Sequence, residues 1–176
     1  LSSQYGHDSA SDESIEYVRE ISPEKIIKTA RQVGAKIIAS SYNEPLITTE
    51  WAVAIFQQAA QAGIRSVFVS NGYATPESLE LLKPYLSAYK IDLKSMQEKN
   101  YHAMGGSLKH VLDTIVMAHQ MGIWLELVTL VIPGFNDSNE ELWDAARFIT
   151  SVSRDIPWHV TAYHPDYKFQ DAPPTP

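Results

Sequence analysis

An α/β fold built on an all-parallel sheet, curved into a complete or partial barrel, is what the 176-residue sequence predicts. Three observations predict it. Compact apolar runs alternate with stretches of helical period five times over. Nearly every element is punctuated by Gly, Pro, Asn or Asp. Charged residues recur at alternate positions of a strand, which places them on one face of it.

The elements follow in order. Residues 1–21 are polar and rich in Ser, Asp and Glu, with no sustained period, and read as a loop or arm. Ser22-Pro23-Glu24-Lys25 offers an N-cap and a proline at the first helical position, and Ile26, Ile27, Ala30 and Val33 follow at helical spacing before Gly34. Residues 36–40 form a bounded apolar run, the mark of a buried parallel strand. A helix is expected over about 47–62, ended by Gly63, then a strand over 66–70 closed by Asn71-Gly72. Thr75-Pro76-Glu77 opens the next helix, and 88–93 is a strand. Leu108 to Met121 reads as a helix stopped by Gly122, and Ile123 to Ile132 as a long strand closed by Pro133-Gly134. Asp137 and Ser138 open a helix through Ile149, and Trp158 to Tyr163 is the last strand. Residues 22–167 are thus one core, followed by a Pro-rich segment over 168–176.

Strand chemistry favours a barrel over a doubly wound sheet. On the run 90–94 the period of two puts Lys90, Asp92 and Lys94 on one face and Ile91 and Leu93 on the other. Glu126 and His159 or Thr161 interrupt later strands in the same way. An open sheet covered on both faces tolerates such groups poorly, whereas a barrel can turn them toward a polar lumen. The expectation is that Lys90, Asp92, Lys94, Glu126 and His159 face inward, and that Ile91, Leu93, Leu125 and Leu127 face the helices.

Composition narrows the function. Fourteen Lys and Arg against twenty-one Asp and Glu leave a net charge of −7, with no broad cationic field for a phosphate backbone. No apolar run approaches the roughly 20 residues of a membrane span, and the chain does not open on a basic-then-apolar leader, so a soluble, cytoplasmic protein is expected. With no Cys, these residues supply no disulfide, thiolate zinc site, cysteine nucleophile or cysteine-ligated iron–sulfur cluster. His159 and His164 are five apart, and no His pair stands at i, i+4 on a helix, so no metal site is expected. Neither nucleotide glycine fingerprint nor a Gly-x-Ser-x-Gly elbow is present.

Functional groups of αβ barrels sit at the C-terminal ends of strands. Those ends here read Ser41-Tyr42-Asn43-Glu44-Pro45, Ser70-Asn71-Gly72, Asp92-Leu93-Lys94, Val131 to Asp137 and Tyr163 to Asp166. Helix capping accounts for some of these polar groups. Together they also suit a zwitterion, with Lys94 for a carboxylate, Glu44 for an ammonium, and Asn71 or Ser70 for hydroxyls.

The order Tyr-Asn-Glu-Pro (42–45), Val-Ser-Asn-Gly (69–72), Ile-Asp-Leu-Lys (91–94), Val-Ile-Pro-Gly-Phe-Asn-Asp (131–137), Trp-His-Val-Thr-Ala-Tyr-His-Pro-Asp-Tyr (158–167) and Pro-Pro-Thr-Pro (173–176) resembles radical S-adenosylmethionine (SAM) enzymes. More narrowly it resembles the pyruvate formate-lyase activating enzyme-like branch called AmmeMemoRadiSam-system radical SAM enzymes, over roughly residues 22–176. The resemblance implies a partial (β/α)6 TIM-like barrel of which strands two to six are present, all parallel. It places Asn43 and Glu44 at the SAM amino group, although Tyr-Asn stands where the family has two glycines. It places Ser70 and Asn71 at the ribose, Lys94 at the SAM carboxylate with Asp92 beside it as an acid able to hold a cation, Val131 and Ile132 behind the adenine, and His164 near the ribose.

The family's Cys-x3-Cys-x2-Cys loop, whose thiolates hold a [4Fe–4S] cluster, is expected before Leu1, which makes the chain a piece of a longer enzyme. The resemblance then implies reductive cleavage of SAM at the cluster to a 5′-deoxyadenosyl radical, an electron donor such as flavodoxin or ferredoxin, and a radical-accepting substrate or partner protein of the glycyl-radical kind. No side chain of this chain need act as an acid or base. Two other readings stand beside it: a barrel that binds SAM or a partner without chemistry, and an aldolase-like barrel with Lys94 as a Schiff-base nucleophile.

Overall fold

The computed structural model describes residues 20–166 and 171–176. The arm expected over 1–21 lies outside them except for Glu20 and Ile21, as do residues 168–170 of the C-terminal segment.

Five parallel strands stand in sequence order: β1 (Ile37–Ser40), β2 (Arg65–Ser70), β3 (Ala88–Asp92), β4 (Leu125–Val131) and β5 (Trp158–Ala162). The helices are α1 (Pro23–Gln32), α2 (Thr49–Gln61), α3 (Pro76–Leu82), α4 (Glu98–Ala103), α5 (Leu108–Gln120) and α6 (Asn139–Val152). Short 3-10 turns at Pro45–Thr48 and Lys83–Tyr85 lead into α2 and out of α3. The result is a partial parallel α/β barrel: helices cover its outer face, and among the described residues nothing closes it between β1 and β5.

The caps sit where the sequence places them. Ser22 and Ser138 accept from the third backbone N–H of α1 and α6, and Thr75 with Ser78 completes a capping box on α3. Two of the larger differences concern length. β4 starts two residues later than the expected Ile123, because Ile123 belongs to the turn that ends α5: its N–H bonds the Ala118 carbonyl. Helix α6 runs three residues past the expected Ile149, since nothing breaks it before Ser153. A third difference is an element the periodicity does not reveal. Helix α4 has six residues, too few to display a repeat against its background.

The face assignment holds. Ile91, Leu93, Leu125 and Leu127 are buried against the helices, while Lys90, Asp92 and Glu126 are half-buried and His159 exposed on the concave side. The core lies between sheet and helices around Phe56, Phe68, Tyr89, Ile91, Ile115 and Leu127. Edge-to-face contacts from Phe56 to Phe68 and from Phe68 to Tyr89, with centroids 6.4 and 5.6 Å apart, join α2 to β2 and β3.

Polar bonds tie the strand ends together. Asn136, only 2% exposed, donates through Nδ2 to the carbonyls of Lys94 and Leu130 and accepts from the Ile132 N–H. Thr175 pairs with Tyr163 through backbone and hydroxyl, and its Oγ donates to the Val131 carbonyl at 2.6 Å. The Pro-rich segment is thereby pinned across the ends of β4 and β5. Among the described residues, no helix is long and apolar enough to cross a membrane.

Candidate functional site

A cavity of about 600 Å3 opens at the C-terminal ends of β1, β2 and β3. Its walls come from the loop after β1 (Ser41 to Glu44), the end of β2 with Asn71, the inward face of β3, and the segment from Tyr101 to Gly106. This volume lies within the range of small-molecule sites.

Glu44 is the hinge of the first wall. Its Oε1 accepts from the Leu46 N–H at 3.1 Å, capping the 3-10 turn, and its Oε2 accepts from the Asn71 N–H at 2.7 Å. One carboxylate therefore fixes the loop after β1 to the loop after β2, and each of its oxygens keeps a lone pair for another donor. Asn71 turns its Oδ1 to the Tyr73 N–H at 2.9 Å, which leaves its Nδ2 as a donor. Ser70 touches the cavity but is 3% exposed, and its Oγ accepts from the Gly72 N–H and the Tyr89 hydroxyl. Period two explains this: Ser70, like Ser66 and Phe68, lies on the helix-facing side of β2, so its hydroxyl braces the turn.

On β3 and just beyond it, Lys94 Nζ lies 3.1 Å from Asp92 Oδ2, and Lys90 Nζ 3.6 Å from Asp92 Oδ1. Two cations share one carboxylate, so the inner face of this strand carries a surplus positive charge. Lys94 holds its ammonium against Asp92, an arrangement for ion pairing more than for a neutral amine attacking a carbonyl. The Lys94 backbone is fixed twice, by Asn136 on its carbonyl and by Tyr101, whose oxygen takes its N–H at 3.1 Å. Burial pushes the Tyr101 hydroxyl up to about 12, against the two backbone N–H groups that favour its ionised form.

Of the nine residues the sequence singles out, Asn43, Glu44, Ser70, Asn71, Asp92 and Lys94 line this one cavity. Val131, Ile132 and His164 do not: the first two are buried at the end of β4, and His164 is exposed, 3.4 Å from Asp166. No strand-end motif contains Tyr73, Tyr101, Met104 or the pair Gly105-Gly106, which line the same cavity. The one signal for them was the double glycine, and Gly106 indeed packs where a Cβ would come 3.4 Å from the Tyr73 ring. Farther along the concave face, His159 Nε2 lies 2.9 Å from Glu126 Oε2, a pair that β4 and β5 bring together.

The residues described contain no group of three His, Cys, Asp or Glu placed to hold a metal ion.

Comparison with known proteins agrees with this architecture. The family model for the Radical SAM superfamily matches residues 4–149. An uncharacterized protein of Methanocaldococcus jannaschii is 33% identical over 159 residues, covering 90% of this chain and 47% of that protein. The isethionate sulfite-lyase activating enzyme of Oleidesulfovibrio alaskensis is 28% identical over 130 residues, 72% of this chain and 41% of the enzyme. The chain therefore spans less than half the length of these two relatives. Among solved structures, a domain of pyruvate-formate lyase-activating enzyme from Bacteroides vulgatus superposes with a TM-score of 0.67 at 22% identity, covering 74% of this chain and 82% of that one. Streptococcus suis SuiB gives 0.70 at 14% identity over 91% of this chain and 38% of its own. SuiB has also been solved bound to S-adenosylmethionine and to precursor peptide SuiA. At such identities the two structures establish the fold.

Proposed function

Because this chain belongs to the radical SAM superfamily, we propose that it is the SAM-binding part of an enzyme that cleaves SAM reductively to a 5′-deoxyadenosyl radical. Within that superfamily its motifs favour the AmmeMemoRadiSam-system branch, close to the activating enzymes. The observation that carries the reading is the placement of Glu44 and Lys94 on two walls of a single cavity, the charges that an amino-acid ligand needs.

The donor set fits SAM. Lys94 holds the carboxylate, Glu44 accepts from the ammonium with the lone pairs its two backbone bonds leave free, and the Asn71 Nδ2 donates to a ribose hydroxyl. Asn43 stands beside Glu44 on the same wall, and Asp92 keeps Lys94 in place. Apolar side chains, Leu46, Ile47 and Val69 among them, line the rest of the cavity. Val131, Ile132 and His164 belong to the proposal as an outer wall for the adenosine, reached only by a ligand extending from the cavity toward the ends of β4 and β5.

The [4Fe–4S] cluster does not fit these residues, since a cluster needs thiolates and the sequence has no cysteine. In this reading the ligands come from outside the 176 residues, and anaerobic reconstitution of the chain with iron and sulfide is expected to leave no protein-bound charge-transfer absorbance. A stable band would overturn that assignment of roles. The radical acceptor is proposed to be a partner protein or peptide, as the activating relatives suggest, with flavodoxin or ferredoxin supplying the electron. A non-catalytic SAM-binding module is the second reading, favoured by the same lack of cysteine. Three cysteines at Cys-x3-Cys-x2-Cys spacing encoded upstream of Leu1 would decide for the enzyme.

Calorimetry tests the site. Lys94→Ala is expected to weaken SAM binding about 10- to 100-fold, the worth of a hydrogen bond between charged groups. Glu44→Gln should lose affinity and stability together, because Glu44 also holds the Leu46 and Asn71 N–H groups. Unchanged SAM affinity in Lys94→Ala would remove Lys94 from the site.

A further inference from the structure

We propose that the Tyr101 hydroxyl is a hydrogen-bond donor to the ligand of this cavity, directed at the same carboxylate that Lys94 holds. The inference rests on the SAM reading and adds to it a residue that no strand-end motif contains.

Tyr101 sits on α4, is 5% exposed and lines the cavity. Its oxygen accepts from the Lys94 N–H at 3.1 Å. A phenol oxygen has two lone pairs and one proton, so this bond leaves the proton still to be given. Among the described residues no hydrogen bond takes it up, although buried donors are as a rule paired. The nearby carboxylate, Asp92, has its Oδ2 on Lys94 and its Oδ1 facing Lys90. Burial keeps the phenol protonated throughout the neutral range, so the hydroxyl has a proton to give.

That chemistry selects the partner. The unpaired proton calls for an acceptor, and a carboxylate offers lone pairs to an O–H and to an ammonium at once, which an ammonium cannot. The residue whose backbone Tyr101 fixes is the one whose side chain supplies the cation, so both donors are registered on one point. Helix α4 therefore contributes directly to ligand geometry.

Titration calorimetry with two probes tests this: SAM itself, and decarboxylated SAM, which keeps the sulfonium, ribose and adenine but has no carboxylate. Tyr101→Phe is expected to weaken SAM about tenfold or more, the effect of one hydrogen bond to a charged group, and to leave decarboxylated SAM within about twofold, below the worth of any such bond. Equal weakening of both ligands would show a structural role only and overturn the inference, as would unchanged SAM affinity. Failure of the unmutated chain to bind SAM would overturn the reading of the whole site, a distinct result. Should Tyr101→Phe not fold, 3-fluorotyrosine installed in place of Tyr101 retains the ring and the hydroxyl. Its fluorine resonance is expected to shift on addition of SAM and not of decarboxylated SAM, and a shift with both or neither would count against the proposal.

Discussion

Replacing Gly72 by alanine is expected to destabilise the chain by about 2 to 5 kcal/mol, summing left-handed strain and overpacking. Gly72 follows β2 with φ near +76°, a conformation costly for a residue with a Cβ. Space compounds the cost. A Cβ there would lie 2.5 Å from Ile91 Cγ2 and 3.2 Å from Val111 Cγ1, both on buried core side chains, and the Ile91 contact is far inside van der Waals distance. The turn also carries the Asn71 N–H that Glu44 holds, so displacement would reach the candidate site. Thermal unfolding should show a melting temperature lower by about 5 to 15 °C, taking a few degrees per kcal/mol for a domain of this size. A drop of only a degree or two would mean that β2 and β3 part more easily than their packing indicates. The same change at Gly63, where φ is also positive but nothing lies within 4 Å of a Cβ, should cost only the strain, about 1 to 2 kcal/mol.

Glu141→Ala is the second large effect, at about 3 kcal/mol or more, because three donors lose a charged acceptor. Glu141 lies on α6 and is 5% exposed. Its Oε1 accepts from Ser95 Oγ at 2.5 Å and from the Met96 N–H at 2.8 Å, and its Oε2 accepts from Gln97 Nε2. Ser95 Oγ in turn accepts from Asn100 Nδ2, so the carboxylate anchors the whole passage from β3 into α4. That passage bears Lys94 on one side and Tyr101 on the other. Chemical denaturation should therefore show the stability loss, and SAM titration an accompanying loss of affinity, although Glu141 does not line the cavity. Glu141→Gln, which keeps the shape and one acceptor oxygen, should fall between wild type and Glu141→Ala. Full stability in Glu141→Ala would show that the loop is held by its own turns.

These two residues mark the limit of what sequence reading can reach. Gly72 was legible as turn punctuation after an apolar run, but the methyl group it must avoid belongs to Ile91, on the next strand. Glu141 had no legible role at all, because a polar residue in the first turn of a helix normally faces water.

The linear chain carries the alternation of strands and helices, their order, and the face on which Lys90, Asp92 and Lys94 lie. Those are local properties: burial on one side of a strand forces a period of two, and caps and glycines mark ends within a few residues. It also singled out six residues that share the cavity, because parallel strands with right-handed crossovers deliver all their C-terminal ends to one side. What those groups do to one another follows from how the chain folds in three dimensions. Glu44 reaches the Asn71 N–H across 27 residues, Glu141 meets Ser95 across 46, and the Ser70 hydroxyl takes up the Tyr89 hydroxyl and the Gly72 N–H. Tyr101 became visible only when a six-residue helix, too short to carry a period, folded its hydroxyl onto the Lys94 backbone. Such pairings depend on strand register and on how the layers pack, and contacts of that range leave no repeat in the chain for periodicity to read.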